Sequence, residues 1–93
     1  MYSVYILQSI RSRRYYIGSA EDANKRLAQH NSGGVISTRL YKPWKIVYTE
    51  CFQSRSDALK REKQMKSWKK RAAIEKLIRA QSIEDPRSPV VGP

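Results

Sequence analysis

The stretch Arg14-Tyr15-Tyr16-Ile17-Gly18-Ser19 decides how the rest of this chain is read. Aromatic and β-branched residues followed by a glycine make a strand with a bend or close approach at Gly18, where a side chain would block the way. Ahead of it, Ser9 to Arg13 is polar and basic, suited to a hairpin connection. Residues 2–8 form an earlier strand, and alternation places Tyr2, Val4 and Ile6 on one face and Ser3, Tyr5 and Leu7 on the other. The two strands are expected to pair antiparallel, which sets Tyr5 and Tyr16 on neighbouring strands.

Downstream, Asp22 is a good N-cap for a helix over residues 23–31, with Ala23, Leu27 and His30 on one stripe and Arg26 beside them. Gly33-Gly34 ends it, because a glycine can take the left-handed conformation just past a helix. Residues 32–43 read as a loop carrying Thr38, Arg39 and Lys42 and closed by Pro43. Residues 44–52 are a third strand, with Trp44, Ile46, Tyr48 and Phe52 expected on one face and Val47 and Cys51 on the other. Ser54-Arg55-Ser56-Asp57 matches a capping box and starts a helix with Ala58, Leu59, Met65 and Trp68 as its inward stripe. A last helix over residues 70–80 buries Ala73, Ile74, Leu77 and Ile78, and from Gln81 a proline-containing tail is expected to be disordered. The order β-β-α-β-α-α gives an α/β (α+β) fold, one domain over residues 1–80 built on a small, mainly antiparallel sheet flanked by helices.

The composition narrows the partners. Ninety-three residues carry a formal charge of +11, which so short a chain cannot neutralise internally, so a polyanion is the economical partner. Within residues 55–79, ten basic side chains stand against three acidic ones, placing +7 of the +11 in the last two helices. Membrane binding would want a continuous amphipathic basic helix or a lipidation signal, and neither is evident. The apolar run at residues 1–7 is too short for a signal peptide, and no stretch approaches membrane-spanning length. Cys51 is the single cysteine, which excludes a disulfide framework and a cysteine-based zinc site and fits a reducing cytoplasm.

A few residues could carry chemistry. Glu62 lies on or beside the inward stripe of its helix, among Lys60, Arg61, Lys63 and Lys66, where a phosphate and a carboxylate-bound cation could meet. Arg26 and His30, at i and i+4, project from one helix face. A guanidinium fork suits a phosphate and its growing transition-state charge, and a neutral imidazole can orient a water or pass a proton. A tyrosine hydroxyl is a weak base at neutral pH, but nearby cations lower its pKa and make base catalysis feasible. Taken singly, each has a plain alternative: ion pairs for Glu62, a solvated arginine with a packed histidine, and strand tyrosines that fill a core with one wet end.

Taken together, Val4-Tyr5-Ile6, Tyr16-Ile17-Gly18, Arg26 with His30, and Glu62 in a lysine-rich helix closely resemble the GIY-YIG nuclease family over residues 2–78. The chain looks particularly like the family's small stand-alone YhbQ-like members. The resemblance implies a three-stranded antiparallel sheet flanked by helices and a metal-assisted hydrolysis of DNA phosphodiesters. It places Tyr5 and Tyr16 at the two motif tyrosines, Arg26 at the helix arginine, His30 at the histidine one turn on, and Glu62 at the single metal-ligating glutamate. Glu62 is then expected to hold one Mg²⁺ or Mn²⁺, weakly in the absence of DNA. Either tyrosine is a candidate base, and Arg26 would stabilise the pentacovalent phosphate. Two departures stand out: the first motif reads Ser3-Val4-Tyr5 without its glycine, and residues 68–80 contain no asparagine.

Arg14, Arg39, Lys42, Lys63, Lys66, Lys69 and Lys70 are the candidate nucleic-acid contacts. Phosphate contacts of this kind give affinity and salt dependence without sequence recognition. A monomer acting on DNA non-specifically, or on a structure such as a nick, flap or branch as in DNA repair, is the expectation. A DNA- or RNA-binding protein that keeps the fold without the chemistry is the alternative. A ribosome-associated or scaffold role explains the charge but not the tyrosine, arginine and glutamate set.

Overall fold

The strand β1 (Tyr2–Ser9) is apolar on both faces, with Val4, Tyr5, Ile6 and Leu7 all at most 1% exposed. Such a strand needs neighbours on both edges and a layer on both faces. The computed structural model, which describes residues 1–68 and 70–83, supplies them. Strands β2 (Tyr15–Ala20) and β3 (Trp44–Phe52) flank β1 antiparallel in the order β2-β1-β3. The element order is the expected one.

Helices α2 (Arg55–Lys66) and α3 (Arg71–Ile83) cover one face, where Ala58, Met65 and Ile74 pack on Val4, Ile6 and Tyr48. On the other face, Tyr5, Leu7 and Trp44 pack with Ala23 and Leu27 of α1 (Ala23–Asn31) and with Tyr41. Strand β3 serves both layers by changing face partway along. Ile6 pairs with Tyr48 but Leu7 with Ile46, which leaves Val47 as an extra residue. The bulge sends Trp44 and Ile46 to the α1 side and Val47, Tyr48 and Phe52 to the α2–α3 side. The single face expected for Trp44, Ile46, Tyr48 and Phe52 is therefore split. Leu59, expected inside, is 45% exposed, because the buried stripe of α2 runs through Ala58 and Met65 and leaves Leu59 on its flank.

Local signals set the helix ends. The Asp22 carboxylate accepts from the Lys25 amide at 3.0 Å. The Gly34 and Gly33 amides donate to the Gln29 and His30 carbonyls, with Gly33 at φ +84°, so α1 closes in a Schellman motif. Ser54 caps α2 by accepting from the Asp57 amide. Within the 32–43 loop, Arg39–Tyr41 makes one 3-10 turn. The Asn31 side chain ties the ends of that loop together, accepting from the Trp44 amide at 2.6 Å and donating to its carbonyl at 3.0 Å.

Helix α2 is oriented across the sheet by a two-pronged ion pair. Arg61 donates through Nε and Nη2 to the two oxygens of Glu50 on β3, at 3.0 and 2.9 Å. Tyr48 donates to the same carboxylate; burial and that carboxylate together push its hydroxyl up to about 12. Glu62, the next residue and about 100° further round the helix, is thereby turned toward β2. The last helix runs to Ile83, past the expected end at residue 80, and its Gln81 amide bonds the Thr49 backbone at 2.7 and 3.3 Å. Residues 84–93 of the expected tail, and Lys69, lie outside the described residues.

Candidate active site

Strand alternation puts Tyr5 and Tyr16 on the α1 face, with Tyr5 directly opposite Gly18 and Tyr16 opposite Leu7. The Tyr5 ring lies across Gly18: a Cβ built there would sit 2.6 Å from the tyrosine hydroxyl oxygen and 3.1 Å from Cε2 of Tyr16. Gly18 thus clears space for a side chain and lets the two rings come together.

His30 is the hub above them. It is fully buried, with its ring edge-on to Tyr16 at 4.8 Å and to Tyr5 at 6.2 Å. Its Nδ1 lies 2.8 Å from Thr38 Oγ1, and that hydroxyl donates onward to the Val35 carbonyl. Thr38 therefore accepts from Nδ1–H, which leaves the Nε2 lone pair to accept from the Tyr5 hydroxyl at 3.3 Å. Burial, and secondarily the charge of Arg26, hold the His30 pKa below its ordinary value, so the ring is neutral. This neutrality has a signed consequence. The unfolded histidine titrates near 6.5, so the stability from the neutral buried ring is complete above that pH and is lost as pH falls through the lower folded value. A thermal midpoint measured from pH 8 downward should begin to decline near pH 6.5, and the decline should flatten in His30→Gln. An unchanged slope in the variant would show that other groups carry it.

Arg26 stands beside this pair, its Nη1 donating to Gln29 at 2.6 Å. Burial raises the Tyr5 pKa, and the nearby Arg26 guanidinium pulls the other way. The charges of Tyr16 and Glu62 add to the rise. Tyr5 thus lies within the electrostatic reach of both Arg26 and Glu62. Glu62 approaches from the opposite layer, round the edge of β2. Its Oε1 accepts from Ser19 at 2.6 Å and its Oε2 from Lys66 Nζ at 2.6 Å, and the side chain is only 16% exposed. Lys66 in turn sits 6.0 Å from the Tyr16 ring. The five expected residues therefore gather at the β2 edge, Tyr5, Tyr16, Arg26 and His30 from one layer and Glu62 from the other.

The basic candidates divide. Arg14, stacked 4.4 Å over the Tyr41 ring, and Lys70 line a groove of about 420 Å³ together with Tyr15, Tyr16, Trp68 and Arg71. Arg71 stacks on Tyr15 at 4.4 Å. Lys66 faces Glu62, whereas Arg39, Lys42 and Lys63 are exposed and do not line that groove. Ser3, standing where the first motif has glycine, contacts Cys51 Sγ at 3.7 Å. Ser19, Thr38 and Asn31 are the site-building residues that the sequence did not disclose. Each acts through a partner distant in the chain, and only the position of Ser19, next to Gly18, hints at a role.

Residues 1–77 match the GIY-YIG catalytic domain, and the chain belongs to the GIY-YIG nuclease family. Within it, the chain is similar to a UPF0213 protein of Staphylococcus saprophyticus, 41% identical over 64 residues that span 68% of this chain and 77% of that protein. A UPF0213 protein of Staphylococcus epidermidis is 41% identical over 54 residues, 57% of this chain and 66% of that one. The solution NMR structure of a UPF0213 protein from Bacillus halodurans aligns with a TM-score of 0.54 at 32% identity, covering 86% of this chain and 85% of the other. These names state no activity. No described helix is long and apolar enough to cross a membrane.

Proposed function

We propose that the protein is a divalent-metal-dependent endonuclease that hydrolyses DNA phosphodiesters, reading structure or backbone rather than sequence. The observation that carries this reading is that Lys66 joins Glu62 to the Tyr16 ring at the open edge of β2, while Arg26 and Glu62 both act on Tyr5, beside a groove of basic and aromatic side chains. Packing alone requires no carboxylate in a field so positive.

The two tyrosines take different parts. Tyr5 is 1% exposed and its hydroxyl proton is directed to His30. Its lone pairs then face Arg26, so Tyr5 positions the guanidinium rather than meeting water. Tyr16 lines the groove, is less buried than Tyr5 and has the Lys66 ammonium 6.0 Å from its ring, and is the better candidate to orient and deprotonate the attacking water. Arg26 holds the phosphate and offsets its growing negative charge.

The donor set fits a cation of the magnesium class. Among the described residues no three His, Cys, Asp or Glu side chains gather into a cage. One carboxylate completed by waters and substrate phosphate is how Mg²⁺ is commonly held. The Lys66 ammonium already shows that a positive charge is accommodated at Oε2 of Glu62. Such an ion, Mg²⁺ or Mn²⁺, would polarise the phosphoryl group and assist the leaving oxygen.

Plasmid and branched DNA incubated with Mg²⁺ or Mn²⁺ test the reading. Cleavage should fall by about 10²–10³ in Arg26→Ala, as for loss of one charge-stabilising donor. It should fall by at least about 10² in Tyr16→Phe, as for loss of a general base, and by less in Tyr5→Phe. Salt-sensitive binding with no substrate cut would instead favour a binding protein that keeps the fold, and activity surviving Arg26→Ala would indicate a different site.

A further inference from the structure

Both oxygens of Glu62 are engaged from within the chain, and the two partners differ in kind. Ser19 belongs to the sheet and holds Oε1 in place. Lys66 is the last residue of α2, half exposed at 50%, and reaches Oε2 across one helical turn. An ion pair of this i,i+4 type at a wet surface is weak and easily opened. The same ammonium lies 6.0 Å from the ring of Tyr16, a residue that lines the basic groove.

We infer that Lys66 is a removable counter-ion that occupies the cation position on Glu62 until a substrate phosphate draws it away. This rests on the proposal that Glu62 holds the metal. In the free protein the ammonium competes with a divalent ion for Oε2, so metal binds poorly. When a phosphate enters, Lys66 transfers its hydrogen bond to a phosphate oxygen and Oε2 becomes available. Metal and nucleic acid then bind with positive coupling, and by linkage each raises the affinity of the other by the same factor. Ser19, which does not compete for Oε2, keeps the carboxylate aimed throughout.

The test is Mn²⁺ binding, followed by the resonance signal of the free ion, in wild type, Lys66→Met, Lys63→Met and Glu62→Gln. Each is measured with and without a short duplex whose phosphorothioate linkages resist cleavage. Lys66→Met should bind Mn²⁺ alone about tenfold more tightly than wild type, within the usual range of coupling between sites. The enhancement by duplex should be smaller in that variant than in wild type. Lys63→Met removes an equal charge one residue from Glu62 but on a different helix face, and should show a clearly smaller gain. If Lys66→Met binds Mn²⁺ no better than wild type while Glu62→Gln abolishes binding, the counter-ion role fails and the metal site stands. An equal gain in Lys63→Met would likewise reduce Lys66 to a general charge effect. Binding that is undetectable in all variants, or indifferent to Glu62→Gln, overturns the metal assignment and the inference with it.

Discussion

Gly18→Ala should destabilise the domain by about 2–4 kcal/mol, combining the cost of overpacking a filled core with that of a buried hydrogen bond left unmade. The added methyl would meet the Tyr5 hydroxyl oxygen at 2.6 Å and its Cζ at 2.8 Å. The Tyr5 ring cannot yield cheaply, because it is 1% exposed and packed with Leu7 and Trp44. Moving it breaks the bond to His30, whose Nε2 would then be buried without its donor. For a domain of this size the thermal midpoint should drop on the order of 15 °C. The loss should be strongly coupled to Tyr5: in Gly18→Ala/Tyr5→Leu, removing the hydroxyl and its ring carbon should make the alanine far less harmful. A Gly18→Ala midpoint close to that of wild type would show that the glycine serves only the strand bend.

Glu62→Ala should abolish cleavage, by about 10³ or more if the several kcal/mol that a bound cation supplies is lost. DNA binding should change in the opposite direction. Glu62 is a negative charge among Lys60, Arg61, Lys63 and Lys66, so its removal leaves a more positive surface and binding that is equal or tighter. Stability should change little, since the Lys66 half of the pair is exposed and Ser19 can turn to water. Glu62→Gln, which keeps an acceptor for Ser19, should be equally inactive. Parallel losses of cleavage and DNA binding, with a normal thermal midpoint, would mean that Glu62 orders the binding surface instead of serving the reaction.

The sequence was most legible where a signal is local. Asp22 and Gly33-Gly34 bracket α1, and alternation correctly sorted Val4 and Ile6 from Tyr5 and Leu7, because nearest neighbours fix both patterns. The resemblance carried by the tyrosines, Arg26, His30 and Glu62 is borne out as family membership. Strand β3 was misjudged because a single extra residue inverts the alternation, and nothing in Trp44 to Phe52 marks Val47 as that residue. Leu59 was misjudged because burial follows the helix face that meets the sheet, not hydrophobicity alone. The support of the site was also illegible. Thr38 fixes the His30 tautomer from eight residues away, and Ser19 meets Glu62 across 43. Such polar pairings depend on where two separate elements come to rest.

The sheet order has a consequence for assembly. With β1 in the middle, β2 and β3 each present an unpaired main-chain edge, the kind of surface on which chains add to one another. The Gln81 side chain covers part of the β3 edge by bonding both the N–H and C=O of Thr49. The β2 edge has Glu62 wrapped round it at Ser19 and Lys66 beside Tyr16. A second copy joining there strand to strand would displace these side chains, so chain-to-chain growth through β2 and use of the site exclude each other. Keeping that edge charged would serve colloidal stability and the proposed chemistry with the same few residues.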